Sequence, residues 1–166
     1  MTARHAITIA IALMLAVLLQ ARMASSITVW LARPDFVTVT IVCLALLTGF
    51  RRATIGGLCG GFLFAALCGA NFGSFMVSRS VAGGLLGKLP RSVQRDNAYV
   101  PTIAVFIGTI VAEVVYFIMS PASPVGWWTK MLLAQAVYNT IITLPVYWLL
   151  QRALGKPKTS FAPYRR

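Results

Sequence analysis

The chain has 166 residues, of which 58% are hydrophobic and only 11% charged, with a mean hydropathy of +0.80. A soluble domain is about a quarter charged, so a water-soluble fold of this length would lack the polar surface to cover itself, and an integral membrane protein is expected. The net charge of +12 would suggest nucleic acid in a soluble protein. Here the basic residues lie between apolar runs and at the chain ends, with no basic patch interleaved with aromatics. Membrane topology and contact with anionic lipid explain them, and no nucleic-acid partner is expected.

Six apolar runs follow one another. They are Ala6–Gln20, Phe36–Phe50, Ile55–Gly69, Phe72–Leu89, Val100–Met119 and Leu132–Leu150. A helix perpendicular to the bilayer needs about 20 residues to cross the hydrocarbon, so the shorter runs draw on flanking residues or locally thin membrane. The second and third runs are separated by Arg51 and Arg52, read as a tight turn at a membrane face. With the N-terminus inside, one side carries Arg4, Arg51, Arg52, Lys88, Arg91, Arg95, Arg152, Lys156, Lys158, Arg165 and Arg166. The other carries Arg22, Arg33 and Lys130. That asymmetry follows the positive-inside rule. The expected architecture is all-α: one transmembrane domain over residues 1–152, a bundle of about six helices with both termini cytoplasmic, followed by a basic cytoplasmic tail over 153–166.

The first run is expected to stay on the protein rather than be cleaved, because QARMASS puts Arg22 where a signal-peptide site needs a small residue. Trp30 is expected to anchor an interfacial stretch, and Trp127 and Trp128, after the SPASP turn, read as anchors of the same kind.

Arg79 lies inside the fourth run. It is about 12 Å from the face marked by Asn71, at 1.5 Å per residue. Glu113, the only acid inside any run, lies about 10 Å from the same face on the fifth. The two are expected to meet as an intramembrane pair. Three readings stay open: a polar lock between helices, a guanidinium that reaches out to headgroups or a watery cleft, and an ion or proton relay. Arginine does not release its proton, which favours an architectural charge. Gly56 with Gly60, Gly57 with Gly61, and Gly83 with Gly87 form GxxxG frames suited to close helix approach. Gln135 and Asn139 share a face of the sixth run and are placed to hydrogen-bond a neighbouring helix. Pro145 is expected to kink that helix.

His5 is the only histidine, and the three acids, Asp35, Asp96 and Glu113, are assigned to different depths or sides. No catalytic triad, HExxH motif or P-loop is present. The cysteines Cys43, Cys59 and Cys68 have no CxxC spacing. No enzyme activity, metal or cofactor is expected.

Several stretches carry a resemblance. The proline-acid opening of RPDFVTVTIVCLALLTGFRR, the glycine-rich GGLCGGFLFAALCG, the turn ANFGSF and the closing AVYNTIITLPVYWLLQR resemble the rod shape-determining protein MreD family, over roughly Pro34 to Arg152. The chain departs from that family where members often carry an acid near the end of the third span; here Ala65-Ala66-Leu67-Cys68 stands. The resemblance implies a non-enzymatic, multi-pass scaffold of the bacterial inner membrane that serves cell elongation and peptidoglycan synthesis. Its implied partners are the transmembrane helix of MreC, a RodA-type glycosyltransferase with a class B penicillin-binding protein, and, indirectly, MreB filaments. The glycine faces of the third run, with Gln135 and Asn139, are the expected docking places. Six short spans with inward polar groups are also similar to the substrate-binding subunit of energy-coupling-factor vitamin transporters, in which Arg79, Glu113 and Asn71 would line a pocket. A channel component is disfavoured by the lack of an acidic or carbonyl-rich ring.

Overall fold

The computed structural model describes residues 3–23, 33–68, 71–89, 99–121 and 123–154. Trp30, Asp96 and the tail from residue 155 lie outside them. The described residues form six helices: α1 (Ala3–Met23), α2 (Phe36–Thr48), α3 (Phe50–Cys68), α4 (Phe72–Leu86), α5 (Tyr99–Met119) and α6 (Val125–Leu154). Three segments, His5–Arg22, Tyr99–Met119 and Val125–Leu154, are long and apolar enough to cross a membrane.

The centre of the bundle is α2. Every residue from Val37 to Leu47 is buried, and α2 touches each of the other five helices. Its sequence, FVTVTIVCLALLT, is apolar on all sides, the pattern of a helix enclosed by protein. Enclosure also explains how 13 residues suffice: at about 20 Å, α2 is too short for a bilayer on its own, but its neighbours face the surroundings in its place. Large apolar side chains are exposed on those neighbours, among them Ile11 and Leu15 of α1, Ile103 of α5 and Ile141 of α6.

The turn between α2 and α3 corrects the sequence reading. It falls at Gly49, not at the arginines. Gly49 has φ of 84° and donates its N–H to the Ala45 carbonyl at 2.9 Å, a positive-φ backbone that glycine adopts without steric penalty. Arg51 and Arg52 are exposed in the first turn of α3. At the other end of the sixth run, α6 extends seven residues upstream of Leu132 to Val125. Trp127 and Trp128 therefore belong to its first turn. The helix runs through Pro145 without a break.

The glycine frames close the α3–α4 seam. A Cβ on Gly57 would lie 2.5 Å from the Arg79 carbonyl oxygen, and one on Gly61 would lie 2.7 Å from that of Phe75. From the other helix, a Cβ on Gly83 would meet the Ala53 carbonyl oxygen at 2.8 Å, and one on Gly87 would meet the Phe50 Cα at 2.7 Å. Gly56 and Gly60 face the other way, towards Leu13 of α1, with Gly60 also against Ile41 and Val37 of α2. Of the two roles these glycines suit, internal packing and docking of a partner's helix, the contacts described are internal: this chain's own helices lie against them. Small residues let backbones approach, and in a membrane that close packing replaces a hydrophobic drive between helices. Gly108, which the GxxxG spacing does not reveal, admits Val42 of α2 and Leu86 of α4 in the same way.

Candidate functional site

The polar residues of the interior converge on the start of α2. Gly60 packs against Val37 and Ile41, and α3 continues eight residues beyond it, about 12 Å, to Cys68. The first turn of α2 is thus recessed inside the bundle. The first backbone N–H groups of a helix have no partner within the helix, and leaving them unpaired in a dry interior is costly.

Side chains from three elements answer them. Asp35 caps its own helix: Oδ1 accepts from the Thr38 N–H at 2.8 Å, and Oδ2 accepts from the Thr38 hydroxyl at 2.6 Å. Gln20 of α1 accepts from the Phe36 N–H at 2.7 Å and donates to the Pro34 carbonyl at 2.9 Å. Asn139 of α6 accepts from the Asp35 N–H at 2.9 Å and donates to the Thr109 hydroxyl of α5 at 3.1 Å. Asn139 has no exposure at all, and Asp35 is 5% exposed; both are committed to the interior.

Arg79 of α4 completes the cluster. Its guanidinium donates to Asp35 Oδ2 at 2.7 Å and to Glu113 Oε1 of α5 at 3.2 Å. It also donates to the Ser78 hydroxyl at 3.0 Å and lies 4.5 Å from the ring centroid of Phe75. Phe75 in turn packs at 4.7 Å on Tyr116 and at 4.8 Å on Phe64, and the Tyr116 ring lies 5.9 Å from the guanidinium, so aromatic rings of α4 and α5 cover the charge. The structure brings Arg79 and Glu113 together, as their depths suggest, but the shorter contact is to Asp35. The sequence reading separated the acids by depth and side; Asp35 and Glu113 instead share one guanidinium. The reason is the recessed start of α2, which carries a residue outside the apolar run into the interior.

Among the described residues, no fully buried side-chain nitrogen or oxygen lacks a hydrogen-bond partner. Beside the cluster, between the ends of α5 and α6, a cleft of about 130 Å³ is lined by Glu113, Tyr116, Ser120, Trp128, Gln135 and their neighbours. Gln135 therefore faces this cleft, while Asn139, one turn on, joins the network. At the bundle's opposite end, an open groove of about 270 Å³ runs along α3 and α4 by Phe50, Ser80 and Lys88. Asn71 is exposed and donates to the Ser120 hydroxyl at 2.7 Å, tying the α4 start to the α5 end rather than lining the cleft. Trp128 stacks on Phe117 at 4.3 Å, and Trp127 is exposed.

Gln20, Asp35 and Thr109 are the site residues that the sequence reading missed. A signal for Asp35 exists: an aspartate immediately before an apolar run is a helix N-cap pattern. Gln20 and Thr109 carry no comparable local mark. Comparison of the chain with protein-family models, curated proteins and solved structures finds no match.

Proposed function

We propose that the chain is a non-enzymatic scaffold subunit of the bacterial cell-elongation machinery, of the MreD kind, that binds the transmembrane helix of MreC. In this reading it crosses the cytoplasmic membrane six times, with both termini inside, and works with a RodA-type glycosyltransferase and a class B penicillin-binding protein. The observation that carries it is the closure of Arg79. Among the described residues the one buried guanidinium is held by Asp35 and Glu113 of the same chain and lies against the rings of Phe75 and Tyr116. A buried charge paired in this way fixes how helices sit against each other. The glycine seams are also occupied internally, so partner helices meet the outward apolar faces.

The test is purification of the chain from its native membrane in mild detergent, followed by mass spectrometry. Co-purification of a single-span periplasmic coiled-coil protein with cell-wall synthases supports the scaffold. Co-purification of paired ATPases with a second multi-span subunit overturns it in favour of the transporter.

A further inference from the structure

Two carboxylates share one guanidinium, and they do not share it equally. Asp35 is saturated: its carboxylate takes the Arg79 contact at 2.7 Å and both Thr38 donors. Glu113 receives one contact, at 3.2 Å, on Oε1. Among the described residues no donor reaches its Oε2. Its side chain is 16% exposed, and it lines the cleft of about 130 Å³ between α5 and α6. The walls of that cleft are of two kinds. Tyr116, Phe117 and Trp128 offer aromatic surface, and Ser120, Ser123 and Gln135 offer hydroxyl and amide oxygens. With Arg79 already neutralised by Asp35, an ionised Glu113 leaves one negative charge facing this chamber.

A carboxylate that shares its single guanidinium with a second, closer acid, aromatic faces and several neutral acceptors form the chemistry that receives an ammonium ion. We propose that the α5–α6 cleft binds the primary ammonium of a lipid headgroup, with Glu113 as its counter-ion and Gln135 and the serine hydroxyls as further acceptors. The opening lies at helix ends, beside the exposed Trp127 and the Ser120–Asn71 hydrogen bond, in a protein whose flanking surface is apolar. A headgroup therefore reaches the cleft while its acyl chains lie along the exposed side chains of α5 and α6, such as Ile118 and Leu133. This assignment is independent of the scaffold reading.

The test uses the full chain with Trp128 as its sole tryptophan (Trp30, Trp127 and Trp148→Phe), placed in nanodiscs of phosphatidylglycerol, which carries no ammonium. Increasing fractions of phosphatidylethanolamine are expected to produce a saturable change in Trp128 fluorescence. Glu113→Gln is expected to weaken that response about tenfold or more, as loss of one charge-assisted contact implies. The variant keeps the Arg79–Asp35 contact. Should it fail to fold, Gln135→Leu serves in its place, and an unchanged lipid response in that variant counts against the site. Saturation by free ethanolamine with no further effect of the lipid overturns the lipid source and leaves a soluble-amine site. An equal response to sodium chloride overturns the ammonium assignment, as does no response to either amine.

Discussion

Along α3 and α4 backbone meets backbone; along α5 and α6 side chain meets side chain. In the first seam a single added methyl at Gly57 or Gly61 would overlap main-chain atoms of α4. In the second, a ring pair at 4.3 Å and the Asn139–Thr109 hydrogen bond hold the helices, and a cleft remains between them. The difference teaches where this bundle is fixed and where it has room. Contacts between main chains leave no rotamer with which to adjust, whereas a seam of long side chains tolerates gaps and polar lining. Arg79 sits at the junction of the two, on the glycine-packed helix and reaching towards the looser one.

Removing that junction has the largest expected effect. Arg79→Met leaves two buried carboxylates without a counter-charge and is expected to destabilise the chain by about 3–5 kcal/mol, read as a lower midpoint in detergent melting. Replacing the acids separates the two sides: Asp35→Asn lowers the midpoint more than Glu113→Gln, because Asp35 holds the shorter contact and caps α2. In the double variant Arg79→Leu with Glu113→Gln, part of the single losses is recovered; strictly additive losses would rule out coupling across the junction. Within the looser seam, Asn139→Leu strands the Asp35 N–H and is expected to destabilise by about 1–3 kcal/mol, with faster hydrogen exchange at the start of α2.

The smallest effects sharpen the contrast between neighbours on one helix. Gly57→Ala forces α3 from α4 and is expected to destabilise by about 1–3 kcal/mol. Gly56→Ala meets only Leu13 Cδ1, at 3.8 Å, and is expected to stabilise by about 0.4–1 kcal/mol. Equal midpoints for these two variants would mean that the seam yields to an added methyl.

Much of this organisation is legible in the sequence, because apolar runs and glycine spacing are local signals. The six helices fall on the six runs, and Arg79 meets Glu113 because both lie at a similar depth on neighbouring helices. Counting depth along the chain fails at Asp35. It assumes that each helix starts at the membrane face, and α2 starts within the bundle. It fails again at Gln20 and Asn139, whose common partner, the first turn of α2, is set by tertiary placement. At Gly49 the reason is simpler: charge marks a membrane face, but it does not bend a chain.

The recessed start of α2 also sets an order of assembly. Its Asp35 N–H is paired by a side chain 104 residues downstream, and the Asp35 carboxylate by one 44 residues downstream. During synthesis, α2 emerges ahead of both partners, and Asn139 is added long after it. Until α4 arrives the aspartate is uncompensated, and until α6 arrives the amide beside it is unpaired. The central helix therefore completes its surroundings last, and a nascent chain arrested before α6 presents an unfinished interior to the insertion and quality-control machinery.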